Sequence, residues 1–148
     1  GATVTYQKLR NLQKYDPKPD GGFYENESVV YLDQMPNIPY FFGNADVSAS
    51  FKNVLRKGNN LTVGYNLLYV NSFWLYWPSL GSTSGDDKNG IPTQVAHDMN
   101  FVYSMKNGRY NVSLEVKNIT DKPVFDNFSL QKPGRGFYLN FRYFINKS

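Results

Sequence analysis

Two segments near the C-terminal end of the sequence alternate between apolar and polar side chains at every second residue. They span residues 110–117 and 137–145, and their apolar sides consist of Tyr110, Val112, Leu114 and Val116 in the first and Phe137, Leu139, Phe141, Tyr143 and Ile145 in the second. A period of two indicates β-strands that meet water on one face only. Because one side is aromatic and the other carries charges, the pattern fits strands between lipid and a watery lumen at least as well as strands on a protein core.

Four further segments have the same period and are separated by stretches rich in proline and glycine. They span residues 3–9, 44–51, 61–74 and 94–105. Helix start and stop signals are scarce throughout the chain. The prolines of residues 10–43 prevent regular pairing over most of that stretch, with brief pairing expected only at residues 29–32. The sequence therefore predicts an all-β chain, an antiparallel up-and-down β-meander of about six strands.

The connections between these six segments alternate strictly between long and short. Long stretches follow the first, third and fifth strands, whereas residues 52–60 and 106–109 form short links after the second and fourth. Asn107-Gly108 in the second link favours the positive φ angles of a tight hairpin. A soluble sandwich would mix both lengths at both ends, while an outer-membrane barrel gathers long loops outside and short turns on the periplasmic side. The alternation favours a fragment of a transmembrane β-barrel.

The two C-terminal segments are also joined by a pair of short motifs. Asn118-Ile119-Thr120-Asp121 follows the first segment, and Pro133-Gly134-Arg135 opens the second. With the alternating aromatic residues that follow, this pair resembles the C-terminal end of TonB-dependent outer-membrane receptors. The resemblance assigns the motif to Asn118, Thr120, Asp121, Pro133, Gly134 and Arg135, and lipid contact on the closing strand to Phe137, Leu139, Phe141 and Tyr143. Members of that family usually finish on an aromatic residue, whereas this sequence continues to Ser148.

The resemblance implies that residues 1–148 are the last part of such a receptor. The six strands would then belong to a barrel of about twenty-two around a plugged lumen. The implied function is TonB-energised uptake of a scarce solute, such as a siderophore–iron complex, haem or cobalamin, across the outer membrane of a Gram-negative bacterium. The implied partners are the plug domain, the remaining barrel strands, membrane lipid and a small-molecule ligand, with TonB engaged only through an N-terminal part outside this sequence. Taken alone, the segment is expected either to curl so that its aromatic face becomes its core or to pair its edge strands with those of another copy.

The outer loops contain the candidates for contact with a ligand. Trp74, Tyr76 and Trp77 cluster after the third strand, and Phe125 and Phe128 lie in the last long loop. Aromatic rings at such positions can stack on a solute that arrives from outside. Aromatic residues also anchor membrane proteins at the lipid–water interface, and we favour this anchoring role for the tryptophan cluster.

Composition and residue patterns narrow the functional classes. The sequence contains no cysteine, which excludes disulfides and thiolate metal sites. His97 is the only histidine and Asp86-Asp87 lacks the alternating oxygen ligands of a calcium loop, so neither a metal site nor another cofactor is predicted. No nucleophile–base constellation or fixed carboxylate pair is recognisable, and we do not expect an enzyme. The net charge of +4 is spread along the chain, which does not indicate a nucleic-acid surface.

A secreted or periplasmic β-sandwich that binds carbohydrate is the alternative hypothesis. The aromatic content of 17% suits sugar-binding sandwiches as well as membrane-interface girdles. Trp74, Tyr76 and Trp77 would then form the platform on which a sugar stacks. The two hypotheses differ in what covers the aromatic side of the strands, which is a second sheet in a sandwich and acyl chains in a barrel.

Overall fold

The computed structural model describes residues 1–81, 90–126 and 129–145, and almost all regular structure in these ranges is β. The strands are β1 (Ala2–Tyr6), β2 (Tyr15–Pro17), β3 (Phe23–Glu27), β4 (Phe41–Lys52), β5 (Asn60–Val70), β6 (Phe73–Trp74), β7 (Gly90–Ile91), β8 (Gln94–Met105), β9 (Tyr110–Lys117) and β10 (Gly136–Tyr143), with a single helical turn, α1, at Pro78–Gly81. No helix in the described ranges is both long and apolar enough to cross a bilayer.

Six of these strands form one antiparallel sheet in the order β1-β4-β5-β8-β9-β10. Each long strand therefore pairs with the next long strand along the chain, which confirms the predicted all-β, up-and-down arrangement. The sheet is open, with β1 at one edge and β10 at the other. Both edges leave backbone groups available for pairing with further strands.

Two predicted strands end earlier than the sequence pattern suggests. β1 stops at Tyr6, paired with Phe41, rather than at residue 9. Beyond Phe41 the partner segment leads back to Pro39, which has no amide hydrogen to donate. The segment predicted as one strand over residues 61–74 is divided, because β5 stops at Val70 and β6 pairs with β7 instead. At this division the Thr93 hydroxyl accepts the Ser72 amide at 3.2 Å and donates to Asn71 Oδ1 at 3.3 Å.

The remaining strand bounds agree closely with the sequence pattern. β8 and β9 have the predicted bounds, β4 starts three residues before the predicted residue 44, and β10 ends at Tyr143 rather than residue 145. Residues 10–43 are less irregular than predicted, because β2 and β3 form a hairpin with an irregular register beside Pro17. The pairing expected at residues 29–32 is wrong: these residues form turns, and Leu32 has a φ of 65°.

The strand register places most apolar residues of the six-stranded sheet on one face. Directly paired residues share a face, and the pairs Val47↔Tyr65, Tyr65↔Met99, Met99↔Val116 and Val116↔Phe137 extend one apolar row from β4 to β10. We call this surface the apolar face. Many of its side chains are exposed, including Leu139, which is 74% exposed, and Phe141, which is 67% exposed. The only buried apolar side chains in the described ranges are Phe73, Ile91 and Val124, and none belongs to this face.

The opposite face is polar over most of its area. It presents Asn44, Asp46, Thr62, Asn66, Asp98, Asn100, Glu115, Lys117, Asn140 and Arg142. We call it the polar face. The sheet is thus a single amphipathic layer with side chains of opposite character on its two sides.

The two ends of the sheet differ in the length of their connections. Residues 7–40, 71–93 and 118–135 connect strands at one end, and residues 53–59 and 106–109 connect them at the other. We call these the long-loop end and the short-turn end. At the short-turn end the two turns are hydrogen-bonded, since the Asn107 amide donates to the Gly58 carbonyl at 2.9 Å.

Asn59 links the same two turns through its side chain and is buried. Its Nδ2 donates to the Tyr103 hydroxyl at 2.9 Å, and its Oδ1 accepts the Lys106 amide at 3.1 Å. We expect Asn59→Ala to lower the free energy of unfolding by about 1–3 kcal/mol, because a buried donor and acceptor lose their partners. Urea unfolding followed by tryptophan fluorescence measures this change. Asn60→Ala, at the exposed neighbouring position, is the control and should stay within about 0.5 kcal/mol.

Candidate functional site

A cavity lies at the long-loop end, on the polar-face side of the sheet. Its volume is about 620 Å³, and it is lined by Gln7, Leu9, Asn37, Ile38, Pro39, Phe42, Leu68, Val70, Phe73, Gln94, Val124, Phe125, Asp126 and Lys132. All three long connections contribute to this lining. We call it the loop cavity.

The floor of the loop cavity is apolar because the polar face changes character at this end. Phe42 pairs with Val70, and both point to the same side of the sheet as Leu68. Phe73 and Val124 from two different loops are buried against this region. The small core of the described chain is therefore formed where the loops fold over the end of the polar face.

Gln94 connects the sheet to the last long loop. It is only 5% exposed, and its Oε1 accepts the Phe125 amide at 2.7 Å. The loop continues through a bridge between Phe125 and Gln131, and the Lys132 amide donates to the Val124 carbonyl at 2.7 Å. These bonds hold the Phe125 ring and the charged groups of Asp126 and Lys132 at the lip of the cavity. An apolar floor with a polar lip suits a small amphipathic solute.

Further hydrogen bonds connect the first long loop to the second. Asp33 accepts the Ser79 amide at 2.9 Å and the Ser79 hydroxyl at 2.7 Å through its two carboxylate oxygens. The Asn37 amide donates to the Trp74 carbonyl at 2.7 Å. The first and second long loops are therefore joined to each other by hydrogen bonds.

Within the first loop, an exposed ion pair joins the ends of the β2–β3 hairpin. Lys14 Nζ lies 2.9 Å from Glu27 Oε1. The pKa of Lys14 is raised above its usual value, mainly by the hydrogen bond with Glu27 and also by the negative charge of that carboxylate.

The four described aromatic residues that were predicted to contact a ligand do not line one cavity. Phe125 lines the loop cavity, whereas Trp74 lines a separate cavity of about 460 Å³ with Ser72, Gly90, Ile91 and Pro92. Tyr76 is 64% exposed and Trp77 is partly buried, and neither lines the loop cavity. Phe128 lies outside the described residues, as do Asp86 and Asp87.

The sequence reasoning missed the cavity floor and Gln94. A signal for the floor was present, because Phe42, Leu68 and Val70 interrupt the polar side of their strands with apolar residues. Gln94 gave no such signal, since its role depends on a loop residue 31 positions away.

The structure brings together the two motifs that suggested the receptor family. The Asp121 carboxylate accepts the Arg135 amide at 2.8 Å and lies 3.6 Å from the Arg135 guanidinium. A Cβ at the neighbouring Gly134 would lie 2.7 Å from Asp121 Oδ1, so a larger residue there would require the Asp121 side chain to move. Residues 118–121 and 133–135 therefore close the base of the last long loop.

Asn118 is the centre of this closure and is 6% exposed. Its side chain donates to the Lys122 carbonyl at 2.8 Å and accepts the Lys122 amide at 3.2 Å, while its own amide donates to Asp98 at 2.8 Å. Its φ is 48°, in the left-handed region that asparagine tolerates better than most residues. Asn118 thus fixes the turn that leads β9 into the loop. Thr120 is exposed in the same turn.

Charged groups on the polar face pair within β9 and across to the neighbouring β8. Lys117 Nζ lies 2.7 Å from Glu115 and 3.3 Å from Asp98. His97 lies on the apolar face, where Nδ1 is 2.6 Å from the Tyr65 hydroxyl. No group of three His, Cys, Asp or Glu residues in the described ranges is arranged to hold a metal ion.

Comparison of the chain with protein-family models, with curated proteins and with solved structures finds no match in any of the three.

The role of Asn118 can be separated into backbone and side-chain contributions. We expect Asn118→Ala to lower the free energy of unfolding by about 2–4 kcal/mol, because it removes two buried hydrogen bonds and places Ala at a positive φ. Asn118→Gly should cost about 1 kcal/mol less, since glycine adopts this φ without strain. Chemical unfolding of both variants tests this order. Equal losses would mean that the left-handed conformation is not maintained.

Proposed function

We propose that this chain is a C-terminal wall segment of a TonB-dependent receptor in the outer membrane of a Gram-negative bacterium. It supplies barrel wall and three outer loops to a transporter that takes up a scarce solute, such as a siderophore–iron complex, haem or cobalamin. The observation that carries the proposal is the apolar face, which extends across all six strands without a covering layer in the described ranges.

The energetics of the apolar face favour lipid as its neighbour. Transfer of one Leu, Val or Phe side chain from water to apolar surroundings contributes about 1.5–3 kcal/mol. Soluble monomers rarely expose contiguous apolar patches above a few hundred Å², whereas this face carries exposed side chains such as Val47, Leu114, Leu139 and Phe141 on strands from β4 to β10. Acyl chains satisfy such a surface without any protein partner.

Strand length also supports a membrane-spanning wall. β4 and β8 have 12 residues each, and β5 has 11. A tilted strand needs about 9–11 residues to cross the hydrocarbon layer. These three central strands can therefore cross a bilayer and extend slightly beyond it.

The open edges of the sheet define the first class of partner. Unpaired backbone groups are not tolerated in hydrocarbon, and the smallest single-chain outer-membrane barrels have about eight strands. β1 and β10 would therefore pair with the remaining strands of the receptor. The polar face would meet the watery lumen and the plug domain, and TonB would act through the N-terminal part of the receptor.

The loop cavity supports a role for the outer loops in solute contact. It opens on the polar-face side at the long-loop end, which is the outer mouth of the lumen in this arrangement. Phe125 at its lip and the apolar floor offer contacts to a solute, and Trp74 with its neighbours offers a second contact region. The Trp74, Tyr76 and Trp77 cluster can also anchor the wall at the outer interface.

The carbohydrate-binding sandwich is less well supported. The described residues form one six-stranded sheet and two small two-stranded sheets, and no second large sheet lies against the apolar face. A sandwich needs two sheets whose inner faces interdigitate. The sandwich hypothesis can still be tested at its expected stacking platform. If the chain binds sugar there, Trp77→Ala should abolish that binding.

Cysteine scanning of β10 tests the lipid-facing wall directly, since the sequence has no natural cysteine. Single cysteines replace Phe137, Leu139 and Phe141 on the apolar face and Tyr138, Asn140 and Arg142 on the polar face, and each carries an environment-sensitive fluorophore. In phospholipid vesicles we expect blue-shifted emission and quenching by spin-labelled lipid at the first three positions only, because only they contact acyl chains. The alternate positions serve as matched controls on the same strand.

Two results would contradict the proposal. Blue-shifted emission without quenching by spin-labelled lipid would mean that the apolar face is covered by protein. Equal behaviour at all six positions would mean that β10 has no lipid-facing side. Fractionation gives an independent measurement, in which the receptor that contains this chain is expected in the outer-membrane fraction.

A further inference from the structure

The short-turn end of the sheet carries positive charge without acidic residues nearby. Lys52, Arg56, Lys57, Lys106 and Arg109 are all exposed there, and we call them the basic rim. Residues 47–85 and 99–114 contain no Asp or Glu. The nearest acidic side chains on the same strands are Asp46, Asp98 and Glu115, each at least five residues, or about 16 Å, from the nearer turn.

The opposite end of the sheet has a different charge pattern. The long loops carry cations and carboxylates together, including the pairs Lys14–Glu27 and Arg135–Asp121. The positive charge of the basic rim is therefore not simply a reflection of the overall positive charge of the chain. The excess of positive charge at the short-turn end is a local property of the two turns.

The basic rim is held as one surface by the contacts between the turns. The Asn107–Gly58 hydrogen bond and the buried Asn59 side chain join residues 53–59 to residues 106–109. The Tyr103 hydroxyl also donates to the Val54 carbonyl at 3.1 Å. Cations from two separate hairpins are thus presented together rather than on independent flexible loops.

Two of these cations rest on tyrosines of the apolar face. Lys106 Nζ lies 5.4 Å from the centre of the Tyr110 ring, and the Arg109 guanidinium lies 5.5 Å from that of Tyr143. Tyr110 and Tyr143 stack with their centres 5.0 Å apart. The Arg109 guanidinium also donates to the Tyr143 hydroxyl at 2.9 Å, and this hydrogen bond raises the pKa of Arg109. The positive charges therefore lie at the border where the apolar face ends.

We propose that the basic rim binds anionic phospholipid headgroups, such as those of phosphatidylglycerol, in the leaflet that contacts the short-turn end. This inference rests on the proposed lipid-facing wall. Phosphate groups lie at the level where acyl chains give way to water, and Lys and Arg beside an anionic surface attract it. Tyrosines fit the same level, because they combine an apolar ring with a polar hydroxyl. A membrane rather than a nucleic acid is favoured because the cations border an exposed apolar surface.

Vesicle flotation of the whole chain tests the assignment. The rim variant combines Arg56→Gln, Lys57→Gln, Lys106→Gln and Arg109→Gln. The matched control combines Lys8→Gln, Arg10→Gln, Lys18→Gln and Lys122→Gln at the long-loop end, so it removes the same number of positive charges from a chain of net charge +4. Each protein is mixed with phosphatidylcholine vesicles and with vesicles that contain about 30% phosphatidylglycerol.

The wild type should partition more strongly into the anionic vesicles, and added salt should weaken that preference. The rim variant should lose at least about tenfold of its partitioning into anionic vesicles, while the control stays within about threefold of the wild type. Circular dichroism in detergent checks that the variants are folded. A charge-preserving variant, Arg56→Lys with Arg109→Lys, should bind as the wild type does.

The outcomes separate this inference from the proposed wall. If the rim variant binds anionic vesicles as strongly as the wild type, or the control loses as much binding, the basic rim is not a headgroup site, although lipid contact by β10 stands. If duplex DNA at the same salt binds the wild type tightly and the rim variant weakly, the rim serves a nucleic acid and the assignment is overturned. If the wild type needs anionic lipid for any binding and β10 is not quenched by lipid, the wall fails while the rim remains a headgroup site.

Discussion

The structure depends on one constraint, which is that a single amphipathic sheet cannot cover its own apolar face. Six strands place aromatic and aliphatic side chains on one side, and in the described ranges the chain folds nothing over them. The long loops pack instead against the opposite face, where Phe73, Ile91 and Val124 form a small core. Burial at that end is modest compared with the apolar area that stays exposed. Among the described residues the apolar face therefore stays exposed, and this is the surface that lipid would cover in the proposed wall.

The up-and-down connectivity gives the two ends of the sheet different roles. Because each strand pairs with the next, all long connections meet at one end and both short turns meet at the other. The long connections are held in place by hydrogen bonds of Asp33 with Ser79, of Gln94 with the last loop, and within the Asn118 turn. The short turns are joined by the hydrogen bonds of Asn59. They carry Lys and Arg side chains that have no acidic residue nearby on the same strands. A membrane-spanning wall has the same asymmetry, with a binding side and an anchoring side.

The parts of the fold that were predicted correctly are those in which one local signal decides the outcome. β8 and β9 have the predicted bounds because their alternation is strict and the Asn107-Gly108 turn lies between them. The division after Val70 was missed because β6 pairs with β7, and the alternation of residues 61–74 gives no sign of that distant partner. The β2–β3 hairpin was hidden by its prolines, which an irregular pair of strands tolerates. Among the ligand candidates, Phe125 lines the loop cavity while the tryptophans do not, since loop packing decides which ring turns inward.

The sequence by itself determined the six strands of the main sheet, their order and the chemical character of its two faces. These properties follow from a period of two and from turn residues, and both act over a few neighbouring positions. Only the tertiary structure decided that Asp121 reaches Arg135, that Gln94 holds Phe125, and that the cations of two turns form one rim. Each of these arrangements joins residues that are distant in the chain, so its geometry exists only after the strands have paired and the loops have packed.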